Sequence, residues 1–419
     1  MVLEWDWEPG DKLVHDTSTC TADSEWIEEP IVSPDGQRVA SVVKLGEFEF
    51  GLSVNGTPWE TTFDRIWYPR FTPDGRLTAI TQQEEEWTIS IEGTPWEETY
   101  GFVWQTMFSE DGAHVAAAVQ QDMQFYGVTV DGKVWENMFE AATDFVFSPK
   151  GNASAAVAQV QSFGQADIFT FQNGCFTVAV NGEPWDSVFV NAWTPTFDAT
   201  GTHVAAQVRH TLYDYTIAVD GKPWAQTFNA VWEPTFHPQT GAVLAPVRHG
   251  GAWGLAQDGQ FIWQPRYAQL WKLQFSPDGQ RVAAVCAPRY GHWTVTVDDT
   301  PWHTELNQFI TDLRWSPDSQ RIGVIGKEGN RWKILVDDTE WPGDYDMTWT
   351  PVFSPDSQNV AAKVEQNGKY TVLLNGKAYK EEFDGLWDPV FSPDGTHLLL
   401  RAMRGTNYHR IVVPISEFA

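Results

Sequence analysis

Three features of the sequence predict an all-β fold, a β-propeller of about ten four-stranded blades. The first is a recurring turn. Trp387-Asp388-Pro389-Val390-Phe391-Ser392-Pro393-Asp394-Gly395 carries a short apolar stretch into a Ser-Pro-Asp-Gly reversal, where proline presets φ at the second position and glycine completes a type I turn. Copies start at Ser33, Thr72, Ser109, Ser148, Asp198, His237, Ser276, Ser316, Ser354 and Ser392. The second feature is their spacing of about forty residues, which in strand-like sequence marks blades; helical repeats need a 3.6-residue period that no stretch here displays. The third is the other half of each repeat, as in Trp87-Thr88-Ile89-Ser90-Ile91-Glu92-Gly93-Thr94-Pro95-Trp96. Its alternation reads as a strand, and Asn-Gly or Asp-Gly is the preferred two-residue hairpin turn.

Each repeat therefore supplies strands a to d, from the centre outward. Strand a enters the Ser-Pro-Asp-Gly turn, b is an apolar run such as Arg281 to Val285, c is the alternating segment, and d carries Pro-Trp. The last repeat runs through its strand c, Tyr408 to Val413, and has no Pro-Trp strand, while Leu3 to Asp16 precede the first repeat. The N-terminal segment is thus expected to supply strand d of the last blade, which leaves no open sheet edge there. One propeller over 1–419 is favoured over two fused five-bladed ones, about 1–195 and 196–419, because a second closure needs a spare strand in mid-chain. The fourth repeat is longer than the others between b and c, within Gln161 to Asn173. Either it is a lengthened hairpin, or Phe163, Ile168, Phe169 and Phe171 form an exposed apolar patch awaiting a partner.

The formal charge of −29 opposes phosphate neutralisation and excludes nucleic acid as a partner; the same repulsion disfavours an anionic membrane surface. Glu4, Asp6 and Glu8 stand where a signal peptide needs a basic start, and no segment has the apolar length of a membrane span, so a cytoplasmic location without membrane insertion is expected. Cys20, Cys175 and Cys286 lie far apart in no metal- or haem-binding spacing, so no cofactor is expected.

Of 23 tryptophans, eight occupy the Pro-Trp site, seven precede the strand-a aromatic by four residues, and four open strand c. So even a distribution assigns them to packing between blades, whereas a binding site would gather its aromatics in one place. Trp5, Trp7, Trp26 and Trp315 fall outside these positions.

No nucleophile elbow, phosphate loop, dinucleotide fingerprint or zinc-protease motif occurs, and Asp298-Asp299 and Asp337-Asp338 stand where other repeats have Asp-Gly, so they read as turn residues. No catalytic residue is assigned and the chain is read as a non-enzyme. The b to c connections vary most. Early ones are acidic (Glu47, Glu49; Glu84, Glu85, Glu86; Asp122) and later ones basic (Arg209, Arg248, Arg289, Arg331, Arg404). They are either solvated hairpin tips or a surface that orients a protein partner by charge.

The Phe-Ser-Pro-Asp-Gly turns followed by an apolar strand resemble the WD-repeat and TolB-like propellers. The Asn/Asp-Gly-x-Pro-Trp and Ser-Pro-Asp-Gly units in an acidic chain of this length also resemble the tryptophan-rich D subunits of the Tmc transmembrane electron-transfer complexes of sulfate-reducing bacteria. That resemblance implies an accessory subunit without redox groups, cytoplasmic and peripheral to the inner membrane. It would dock onto an iron-sulfur subunit of heterodisulfide-reductase type beside a membrane cytochrome b subunit. A propeller enzyme acting on glycans and a stand-alone propeller binding a small ligand are the alternatives.

Overall fold

A computed structural model describes residues 5–21, 26–162 and 167–418. The chain forms ten antiparallel sheets, one per repeat, each ordered a-b-c-d: the blades of a β-propeller. Blade 1 covers 26–58, followed by 65–95, 102–134, 142–184, 191–223, 230–267, 269–301, 309–340, 347–378 and 385–414.

Two turn devices explain the repeated letters. In the Ser-Pro-Asp-Gly turn the glycine amide donates to the serine carbonyl, as from Gly36 to Ser33 at 3.0 Å and from Gly395 to Ser392 at 2.8 Å. The serine hydroxyl donates to the aspartate two residues on, at 2.5 Å in Ser33–Asp35 and 2.6 Å in Ser392–Asp394. At the c to d turn, the Asn, Asp or Glu at the first position adopts a positive φ, from 47° at Asn55 to 51° at Asp337. Its side-chain oxygen also accepts the amide that starts strand b of the same blade, in nine blades. This residue thus sets a left-handed turn and pins two hairpins together.

Strand b is buried on both faces, so it reads as an uninterrupted run of small and branched apolar residues; Val115 to Val119 are wholly inaccessible. In blades 2, 3, 4, 5, 7 and 8 strand a carries a bulge, with positive φ at Tyr68, Gln105, Asp144, Thr194, Lys272 and Asp312. In blades 1, 6, 9 and 10 the interruption is wide enough to divide strand a in two, at Pro30, Pro234, Pro351 and Pro389.

The chain divides into two compact units: residues 1–43, 53–58 and 267–419, and residues 44–52 and 59–266. In the first unit, Gly10–Asp16 pairs antiparallel with Asn407–Pro414, so the N-terminal segment does supply strand d of blade 10. The blade 10 side chains then grip the first Ser-Pro-Asp-Gly turn. Arg401 Nη1 donates to Ser33 O at 3.2 Å, Arg410 Nε to Asp35 O at 2.8 Å, and the Tyr408 hydroxyl to Gly36 O at 3.0 Å.

In the second unit, five of the six strand-d tryptophans lie on the c to d glycine of the following blade: Trp59 on Gly93, Trp96 on Gly132, Trp135 on Gly182, Trp185 on Gly221 and Trp224 on Gly259. Strand-d tryptophans therefore pack between blades. The a and c tryptophans pair with one another inside a blade, where Trp232 and Trp253 stack at 5.4 Å and 9° and Trp67 meets Trp87 at 4.9 Å. They also pack on the next blade, where Trp67 and Trp87 each meet Phe102 at 5.6 Å and Trp104 meets Phe145 at 5.6 Å.

Besides short 3-10 turns at Thr17–Thr21 and Ile415–Phe418, an α-helix departs from the all-strand reading. Ile168–Asn173 is a short helix, α1, set in the b to c connection of blade 4, whose strands b and c still pair as antiparallel neighbours, so the lengthened hairpin carries a helical turn. Asp167 caps it by accepting the Thr170 amide at 3.0 Å, and at six residues it is too short to leave a periodic signal.

Candidate docking surface

Within the second unit the tryptophan–glycine contacts hold all c to d turns at one end of the blades, which sets the b to c hairpin tips at the other. Large apolar side chains stand in water at these tips. Phe48 is 66% exposed, Met123 84%, Phe169 76% and Tyr213 80%, with Ile168, Phe125 and Val160 also exposed. Their backbone adds a second anomaly: Phe48 and Met123 both sit at φ 56°. The left-handed region costs a bulky residue on the order of 1 kcal/mol or more. Other repeats place glycine or asparagine there, as at Gly250-Gly251, Gly329-Asn330, Asn367-Gly368 and Gly405. Exposed carboxylates flank the apolar tips, at Glu47, Glu49, Glu84, Glu85, Glu86 and Asp122.

The sequence candidates divide. Phe163 lies outside the described residues. Ile168 and Phe169 are exposed on α1, whereas Phe171 is half-buried. Cys175, just beyond α1, is buried and free, and burial pushes its thiol up.

Four of the five arginines have partners inside the chain. Arg209 donates to Leu212 O at 3.2 and 2.6 Å and lies 5.7 Å from the Tyr215 ring centre. Arg289 pairs with Glu305 at 3.0 Å, Arg331 with Asp346, and Arg404 with Asp11 at 2.6 Å and Glu381 at 2.8 Å. Burial alone would raise the Asp11 carboxyl, yet hydrogen bonds from Arg404 and His409 outweigh it and hold the group below its ordinary value. Arg248 is exposed, and its backbone pairs with Ala230 and Trp253 and accepts the Asn229 amide at 3.0 Å. Much of the basic character legible in the later tips is therefore neutralised where it stands. The apolar tips at Phe48, Met123 and Tyr213 were missed by the sequence reading. A large apolar residue in a hairpin position that other repeats give to glycine was the available signal.

A second feature lies on the inner strands of the second unit. A cavity of about 430 Å³ is lined by the same strand-a positions of blades 4, 5 and 6: Asp144, Phe145 and Val146; Thr194, Pro195 and Thr196; Glu233, Pro234 and Thr235. The bulges open this space, and Asp144 Oδ2 accepts the Thr194 amide at 3.0 Å. Behind it, the buried Gln207 amide hydrogen-bonds the Thr194 hydroxyl.

In the first unit, the matching strand-b position carries Lys363 in blade 9 and Arg401 in blade 10. Lys363 Nζ lies 3.1 Å from Asp388 Oδ1 and 4.0 Å from the Trp349 ring centre, and burial lowers its pKa. Among the described residues no group of three His, Cys, Asp or Glu side chains is placed to hold a metal ion, and no helix is long and apolar enough to cross a membrane.

No protein-family model matches the chain, and no curated protein matches it. Among solved structures it is similar to a eukaryotic initiation factor, at 13% identity over 86% of this chain and 90% of that one, with a TM-score of 0.44. It is also similar to TolB from Acinetobacter baumannii, at 14% identity over 58% of this chain and 61% of that one, with a TM-score of 0.28. Likeness at this level transfers no ligand, partner or activity.

Proposed function

We propose that the chain is a non-catalytic scaffold that works by docking onto another protein through its b to c hairpin tips. The observation that carries this reading is the row of exposed apolar side chains at Phe48, Met123, Phe169 and Tyr213, two of them in a backbone conformation that a bulky residue adopts at a cost. The tryptophans support it indirectly, since they are committed to packing one blade on the next and one strand against another. The repeat resemblance to the Tmc D subunits extends the proposal. In that extension the partner is an iron-sulfur subunit of heterodisulfide-reductase type, with a membrane cytochrome b beyond it, and the chain sits on the cytoplasmic face of the inner membrane without inserting. Affinity capture of the tagged chain from gently solubilised native membranes tests this. Redox subunits recovered in stoichiometric amounts support it, and their absence contradicts it.

A second reading has its own observation. The 430 Å³ cavity brings the Asp144 and Glu233 carboxylates together with three threonines on a floor of proline and phenylalanine, which suits a small polar ligand. Thermal-shift screening against sugars and amines would show stabilisation, and Thr194→Val with Glu233→Gln would abolish it.

A further inference from the structure

We infer that the hairpin tips of blades 1, 3, 4 and 5 form one recognition surface for a cationic amphipathic helix of a partner protein. This rests on the docking reading and names the occupant's chemistry. The surface offers side chains and no free strand edge, so the partner cannot add to it as a strand; it must present an apolar face of its own. Phe48, Met123, Phe169 and Tyr213 supply the apolar contacts, reinforced by Ile168 and Phe125. The flanks decide the partner's sign. Glu47, Glu49, Glu84, Glu85, Glu86 and Asp122 are exposed around these tips, and residues 44–52 and 59–266 hold 26 Asp and Glu against 10 Lys and Arg. Of the basic residues near the tips, Arg209 is already held by Leu212 O and the Tyr215 ring. A helix with apolar residues at i, i+3, i+4 and i+7, edged with lysine and arginine, matches both halves of this surface. An anionic membrane matches only the apolar half and meets the carboxylates with repulsion.

The probe is a synthetic leucine–lysine amphipathic helix about five turns long, compared with a scrambled peptide of identical composition and with anionic and zwitterionic vesicles. Calorimetry is run on the full chain and on a variant carrying Phe48→Gly, Met123→Gly, Phe169→Ser and Tyr213→Ser. The expected result is binding of the amphipathic peptide, weaker binding of the scrambled one, and a loss of at least ~10-fold in the variant. Equal binding of the two peptides, or of parent and variant, overturns the inference by reducing the effect to bulk charge. Vesicle binding in place of peptide binding overturns it in favour of a membrane. Misfolding is controlled separately, because glycine relieves the positive φ at positions 48 and 123, and the double variant Phe48→Gly, Met123→Gly melts no lower than the parent. Capture from native membranes separates the two levels of the account. A parent and a four-site variant that recover the same redox subunits overturn the tip surface alone. A parent that binds the peptide yet recovers none overturns the redox assignment and leaves the surface standing.

Discussion

The Tyr408 hydroxyl donates to the carbonyl of Gly36 at 3.0 Å, joining residues 372 positions apart in the chain. A buried tyrosine of the last blade thereby holds the signature turn of the first, and burial raises its own pKa. Arg401 and Arg410 take the neighbouring carbonyls of the same turn. Removing one such donor leaves a carbonyl without its partner, at a cost of about 1–3 kcal/mol. Tyr408→Phe is therefore expected to lower the denaturation midpoint of the first unit and leave the second unchanged. Hydrogen exchange resolved by segment checks this; uniform loosening of both units contradicts it.

The N-terminal strand is the other half of that fastening. Deletion through Asp16 would expose the backbone edge of Asn407–Pro414 and strip Arg404 and His409 of Asp11. Self-association and a lower melting temperature are expected, measured by light scattering and calorimetry. Supplying residues 5–16 as a peptide should restore both.

The tryptophan–glycine contact predicts a position-specific defect. A Cβ on Gly182 would stand 3.2 Å from the Cβ of Trp135, and φ there is 84°. Gly182→Ala should cost about 1–3 kcal/mol through strain and overlap together. Gly250→Ala, also at positive φ but with open space around it, should cost less. Paired chemical denaturation curves give the comparison.

How much of this was legible follows from the range of the interactions. The turns, the strands and the N-terminal closure are local patterns repeated many times, so they could be read directly. The Asp298-Asp299 and Asp337-Asp338 pairs were read correctly as turns, with positive φ at all four residues. Their second role was hidden: Asp338 accepts the His303 and Thr304 amides of the preceding blade, and Asp299 accepts the Tyr267 hydroxyl. His15 was likewise illegible. It lies against Gly56 as a tryptophan does in other blades, and only the pairing across the two chain ends puts it there. The cavity escaped because it is made by backbone bulges, which leave no fixed letter in strand a. The basic tips misled for the opposite reason: the arginines are visible in sequence, and their partners Glu305, Asp346, Asp11 and Glu381 are not.

Acid should act through the repeated turns. Hydrogen bonds from the Ser392 hydroxyl and from the Thr396 amide and hydroxyl hold Asp394 at about 2, below its ordinary 3.8. Asp111, Asp278, Asp318 and Asp356 are lowered by the equivalent serine and backbone donors. Depressed carboxylates stabilise fully above their unfolded pKa and lose that contribution as pH falls through the folded one. The melting temperature should therefore decline between about pH 4 and about pH 2 on this account, and Ser392→Ala should move the Asp394 titration upward, as followed by NMR. His203 has the reverse sign. Its bond to Asp220 raises its pKa, so that contribution is present in acid and fades as pH rises through the raised value.

Hydrogen-exchange mass spectrometry, on the free chain and on the assembly captured from native membranes, tests the docking claim most directly. Slower exchange confined to residues 44–52, 119–126, 167–176 and 209–215 is the result expected. Protection elsewhere, with those hairpin tips exchanging as fast as in the free chain, would contradict it.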